Sequence, residues 1–209
     1  MITRFGLAPR REGWTVERFQ EHWRQRHGPI IGGLPGLVRY WQNHALAAPL
    51  PWPGFDACSQ LDAPDAATFD AVFAHPTYLA GGRADERRFV DRSVGGHLMT
   101  ERVVAEGRTD PVGVRLLAFL RAAPRCGPDD LAAVLTAPGR GGDAVGREAF
   151  ARVPDASGDA FDAVESLWFD DAGAAVAHLR SAAAERDRRT LAGVVRGTEH
   201  LLAAVHVVL

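Results

Sequence analysis

The chain has 209 residues, enough to bury a core as one large or two small domains without a disulfide or metal staple. Its 46% hydrophobic and 24% charged content is that of a soluble globular protein. The formal net charge of -2, with Asp and Glu interleaved among 24 basic residues, all arginine, excludes an electrostatic nucleic-acid surface. Cys58 and Cys126 stand outside any paired motif, no apolar signal core opens the chain, and no apolar run spans a bilayer. The expectation is a reduced, cytoplasmic protein with no nucleic-acid or membrane partner.

In chain order, "TRFGLAP" reads as an opening strand, followed by a helix that begins near "TVERF". In that helix Val16, Phe19, Trp23, His27 and Ile30 fall at spacings of three and four on one face, and Gly28-Pro29 predicts its end just after His27. His22 and Arg26 fall on the opposite, wet side. Next, "LVRYWQNHAL" reads as a strand with Val38, Tyr40, Gln42 and His44 on one face and Arg39, Trp41 and Asn43 on the other. A strand with polar and aromatic groups on both faces borders water or a ligand. A third strand at "FDACSQLDA", a helix at "PDAATFDAVF", a turn carrying His75 and Tyr78, and a strand at "GHLMTERVVAE" complete the first half.

The second half repeats the pattern. "FDACSQLDAPDAATF" from Phe55 and "FDAVESLWFDDAGAA" from Phe161 align at an offset of 161 minus 55, or 106 residues. Around that anchor, "GVRLLAFLR", "GREAFARV" and "EHLLAAVHVVL" read as strands, and "PDDLAAVL" and "DAGAAVAHLRSAAAERD" as helices. The fold expected is α+β: two tandem ferredoxin-like halves, each β-α-β-β-α-β, packing sheet to sheet as an internal pseudo-dimer. The linker "AEGRTDPVG" places the boundary near Thr109, giving domains 1–108 and 109–209. A further homodimer through the outer edges stays open.

The chemistry concentrates in "HWRQRHGPIIGGLPGLVRYWQNH", His22 to His44. Burial lowers an imidazole's pKa and a helix C-terminus raises it, so His27 is placed to exchange a proton near neutral pH, as a general base must. The alternative is a core histidine that tightens the helix-to-strand turn. Zinc has no support, since His22 and His27 are five apart and diverge on an α-helix. Cys58 reads as an inert buried thiol, and Ser59 lacks a nucleophile elbow. Asp56 and Asp162 recur at one place in both halves, which argues for a structural role.

His22-Trp23, His27-Gly28-Pro29, Leu34 to Leu37 and Arg39 to His44, with "FDA" at Phe55 and "ADERRFVD" at Ala84, resemble the EthD family of the dimeric α/β barrel superfamily. The resemblance covers most of residues 1–105. The second half keeps "FDAVESLWFDD" but has neither His-Gly-Pro nor Tyr-x-Gln-Asn-His, so it resembles a degenerate structural copy. The resemblance implies a small-molecule pocket used without metal or organic cofactor, with aromatic or polyketide-like substrates. Haem held through His27, as some relatives hold it, is the cofactor alternative.

The leading expectation is therefore a cofactor-independent enzyme, a lyase, isomerase or oxidoreductase, with His27 as acid/base and Tyr40 and His44 as donors to an oxyanion. Trp23, Gln42, Asn43, His75 and Tyr78 are the candidate substrate contacts. Decarboxylation, cyclisation, isomerisation and oxygenation share that pair of functions. The alternative class is a non-catalytic small-molecule-binding or accessory protein of an oxidation pathway.

Overall fold

The structure, a computed structural model, describes residues 1–111, 113–154 and 161–209. Strands β1 (Ile2–Ala8), β2 (Arg39–Ala45), β3 (Ala57–Ala63) and β4 (Gly96–Gly107) precede β5 (Val114–Ala122), β6 (Gly146–Arg152), β7 (Ala163–Phe169) and β8 (Val195–Val207). They close into one antiparallel barrel in the order β1-β3-β2-β8-β5-β7-β6-β4. The first four strands run β4-β1-β3-β2 and the last four run β8-β5-β7-β6. Where the sequence suggested two sheets packed face on face, the structure also joins them edge to edge, through β2–β8 and β4–β6 ladders. The physical reason is that an open sheet exposes unpaired N–H and C=O groups at its edges, which closure satisfies. The long strands β4 and β8, with 12 and 13 residues, supply one side of each ladder.

Outside the barrel lie α1 (Val16–His22) and α2 (Gly28–Gly32), joined by a π-helical turn at Trp23–His27, then α3 (Ala66–Ala74). A second π turn at Tyr78–Gly82 leads into α4 (Arg83–Phe89). The second half adds α5 (Pro128–Leu135), α6 (Ala172–Leu179) and α7 (Ala182–Leu191). Helix starts follow short-range chemistry. Asp65 accepts the Thr68 N–H at 2.8 Å and Asp171 accepts the Ala174 N–H at 2.8 Å, two caps 106 residues apart. The single helix expected over "DAGAAVAHLRSAAAERD" is broken at Arg180, where Ser181 caps a new helix by accepting the Ala184 N–H. Of the expected linker, Val112 lies outside the described residues; β4 ends at Gly107 and β5 begins at Val114.

The barrel interior is divided along its axis. One part is apolar, with Phe5, Phe55, Phe119, Phe150 and Phe161 meeting mostly edge to face at 5.1–6.4 Å between centroids. The other is a polar network around Arg115, which is fully buried and paired with the fully buried Glu148 at 3.2 Å. Arg115 also donates to Asn43, Gln60 and Ser166, and Trp168 Nε1 donates to Glu148. Asp56 and Asp162 each accept a backbone N–H at the end of a strand, from Arg10, two residues past β1, at 2.9 Å and from Ala122, the last residue of β5, at 2.8 Å. Both therefore fix a strand-to-loop turn.

Candidate functional site: a cavity under the first π turn

The helix that carries His27 does not stop at Gly28-Pro29. A proline in a helix lacks an N–H and collides with the carbonyl four residues back. Here the π turn widens the helix just before Pro29, the Gly28 N–H bonds the Trp23 carbonyl, and the chain continues into α2. The change in winding moves side chains. Bonding of i to i+5 stacks residues five apart, so His22 and His27, which diverge on an ordinary α-helix, converge.

They converge on Asp85 of α4. His22 Nε2 lies 3.0 Å from both carboxylate oxygens, and His27 Nδ1 lies 3.2 Å from Oδ2. His22 is thus drawn inward instead of lying on a wet face. Burial pushes the Asp85 carboxyl up, but the hydrogen bonds from His27 and His22 outweigh it and hold it below the usual carboxylate range. An ionised Asp85 fixes the Nδ1–H tautomer of His27, leaving Nε2 as the acceptor nitrogen. Nε2 makes no hydrogen bond among the described residues, with Glu86 Oε1 standing 3.9 Å away.

Because the native Asp85 pKa lies below its unfolded value, its contribution to stability is complete above about pH 4. It fades as the pH falls through the depressed native value. Asp85→Asn should flatten that acid limb in urea titrations across pH. It should also slow any reaction that uses His27 by about 10²-fold or more, since an amide neither enforces the tautomer nor stabilises an imidazolium.

His27 lines a cavity of about 250 Å³ between the outer face of β1 and β3 and the two π turns. Trp23, Tyr40, Phe73, Tyr78 and Phe89 form its aromatic walls, and Ser59 and Glu86 add polar groups. Tyr40 is 1% exposed, and burial pushes its hydroxyl pKa well above the ordinary tyrosine value, so it stays a neutral donor. Gln42 sets its direction. The His44 Nε2–H faces Gln42 Oε1 at 3.2 Å, which turns the Gln42 amide nitrogen toward the Trp23 carbonyl at 2.9 Å and the Tyr40 hydroxyl at 3.0 Å. Tyr40 accepts from Gln42 and keeps its own O–H to donate. Gly28 has room for this amide only because it lacks a Cβ, which would stand 2.9 Å from Gln42 Nε2.

Of the residues singled out from the sequence, the structure brings His27, Trp23, Tyr40 and Tyr78 onto one cavity. Gln42 and His44 stand behind Tyr40 and do not line the cavity; burial pushes the His44 pKa down to about 3, so it is neutral, and its Nε2 is engaged by Gln42. Asn43 faces the barrel interior, where it donates to the Cys58 carbonyl and accepts from Arg115. His75 caps α3 away from the cavity and accepts the Thr77 N–H. Cys58 is buried with its thiol pushed up to about 12, as an inert thiol should be.

Sequence reasoning missed Asp85, Glu86 and Arg4. The first two lie on α4, in "ADERRFVD", which carries the family resemblance but no site residue singled out from the sequence, although it offers Asp85 and Phe89 at helical spacing. Tyr78 donates to Glu86 at 3.1 Å, and burial with the Glu86 charge pushes its pKa up to about 12. Arg4 lines the cavity with its guanidinium 4.5 Å over the Phe73 ring. Among the described residues no carboxylate pairs with it within 4.0 Å, whereas Arg10, Arg39, Arg102, Arg115, Arg140 and Arg147 all have one. Burial lowers its pKa without removing the charge.

No group of three or more His, Cys, Asp or Glu side chains among the described residues is arranged to hold a metal. The haem alternative does not fit, since a space of about 250 Å³ is smaller than the macrocycle. No described helix is long and apolar enough to cross a membrane.

Comparison with solved structures shows the same barrel. The chain is similar to an anthrone oxidase-like protein at 9% identity and a TM-score of 0.69, over 99% of this chain and 93% of that one. It is similar to a candidate monooxygenase from Fusobacterium nucleatum at 8% identity and 0.58, over 100% and 92%. A candidate monooxygenase from Lactobacillus acidophilus matches at 9% identity and 0.54, over 98% and 92%. No curated protein sequence matches the chain. The family model for the EthD domain matches residues 11–93, the stretch that supplies Trp23, His27, Tyr40, Tyr78 and Asp85. Over that stretch the chain is thus similar to the EthD family.

Proposed function

We propose that the cavity is the active site of a cofactor-independent enzyme that removes a proton from a small, hydroxylated aromatic or polyketide-like carbon acid. The observation that carries this reading is the Asp85–His27 pair, with His27 on the wall of an aromatic cavity and its Nε2 free of hydrogen bonds. His27 Nε2 takes the proton from a C–H adjacent to or conjugated through an aryl ring with a carbonyl, and the electron pair of that bond is delocalised onto the carbonyl oxygen. Asp85 stabilises the imidazolium that forms. The oxyanion is met by the Tyr40 O–H and the uncommitted Arg4 guanidinium, groups already oriented before reaction. The enolate then regains a proton or, with dioxygen as co-reactant, is oxygenated.

In this reading residues 1–108 and 109–209 are two ferredoxin-like halves of an internal pseudo-dimer. The first keeps the His-Gly-Pro chemistry and the second acts as its structural partner, within a single chain that takes a small-molecule substrate. The caps at Asp65 and Asp171 and the turns at Asp56 and Asp162 support the repeat.

Anthrone is a suitable probe, since its C10–H is acidic through the aryl ketone. In D₂O without oxygen, the protein should speed deuterium entry at C10, followed by proton NMR. In air, conversion of anthrone and O₂ to anthraquinone and water would identify oxygenation as the fate of the carbanion. Saturable anthrone binding with no exchange above buffer would leave only the non-catalytic binding reading.

A further inference from the structure

We propose that the second half holds a separate binding site for a neutral, hydroxyl-bearing ring compound of phenol size, between the outer face of β5, β7 and β8 and helices α6 and α7. A cavity of about 110 Å³ lies there, walled by Leu116, Leu120, Leu167 and Leu191. An apolar cavity of about 150 Å³ takes up benzene, so this smaller space matches no more than a single ring. Two imidazoles, His178 and His200, distinguish this one from a packing defect. His178 is 4% exposed, and its Nδ1 is buried with no hydrogen-bond partner among the described residues.

Burial holds both imidazoles below the ordinary histidine value, so each is neutral and keeps one acceptor nitrogen. The charged groups of the wall are already matched. Glu165 takes Arg140 at 2.7 Å and Arg147 at 2.8 Å, Asp187 stands 3.9 Å from Arg140, and Arg188 pairs with Glu185. The wall therefore has no spare charge for an anion or a cation. It offers apolar surface for a ring and an acceptor for one hydroxyl.

The position follows the repeat. Ser59 and Leu61 on the wall of the first cavity correspond, 106 residues on, to Glu165 and Leu167 here. By strand register Arg4, Gly6 and Ala8 of β1, opposite Leu61, Ser59 and Ala57, correspond to Leu116, Ala118 and Leu120 of β5, opposite Leu167, Glu165 and Ala163. Two larger apolar side chains have narrowed the space, and this cavity has no counterpart of the Asp85–His27 pair. The site binds and does not react, so the chain takes up two ligands of different size.

The test is a titration of the full chain, carrying ¹³C-labelled Leu and Ile methyls, with phenol and with benzene. Phenol should shift the Leu116, Leu167 and Leu191 methyls saturably and bind at least about tenfold more tightly than benzene. His178→Phe, which keeps a ring of similar bulk, should remove that preference. Ala184→Leu, which fills the space, should abolish these shifts while leaving any at Ile31 and Leu61 of the first cavity. Absence of shifts at the three second-half methyls up to the solubility limit of phenol overturns the proposal. So does benzene binding equal to phenol in the native protein. Since the two cavities report through different methyls, failure of this site and failure of the proposed catalytic cavity are told apart.

Discussion

His27→Gln should slow deuterium entry into anthrone by about 10²- to 10⁴-fold while changing its dissociation constant little. Gln is close in length and keeps a polar group on the cavity wall, but it has no nitrogen that can accept a proton near neutral pH. The walls formed by Trp23, Tyr40, Phe73 and Phe89 remain, so binding, followed by tryptophan fluorescence, is the control for folding. The Asp85 variant is expected to fall in the same direction, and because the two side chains act as a unit the double variant should be little slower than His27→Gln alone. Unchanged exchange in His27→Gln, with binding intact, would remove the histidine from the chemistry and turn attention to Glu86, the other proton acceptor on that wall.

Arg115→Met should destabilise the barrel by about 3–5 kcal/mol in urea denaturation, the range for breaking a buried ion pair from one side. Arg115 and Glu148 are both fully buried, and the loss leaves a carboxylate whose remaining partners are Trp168 Nε1 at 3.3 Å and the half-exposed Arg102 at 3.1 Å. Asn43, Gln60 and Ser166 lose a donor at the same time. Glu148→Met should be similarly costly, and the double variant less so than the sum of the two, because no unpaired charge is left inside. Additive losses in the double variant would show that the pair contributes only through packing.

Most of the framework is legible in the sequence because it is set by local rules. Alternation in "VRYWQNH" placed Tyr40, Gln42 and His44 opposite Arg39, Trp41 and Asn43, and the structure has that division. Asp65 and Asp171 mark helix starts by their own chemistry. What was not legible depends on contacts distant in sequence. The π turn arises from accommodating Pro29 within a continuing helix, and it rotates His22 toward Asp85, 63 residues away. His44 and Gln42 look like ligand donors on a strand pattern, yet each is consumed by the neighbour two residues on that face. The pairing of Arg115 with Asn43, Gln60 and Glu148 requires strands from both halves to share one interior, which no periodicity reveals.

The two seams at β2–β8 and β4–β6 have an evolutionary consequence. In a barrel assembled from two identical chains, every substitution appears on both sides at once, so a change that suits a support also alters the reactive side. Here the seams lie within one polypeptide, and each side can change independently. His27 can be kept on one side while leucines line the smaller cavity on the other.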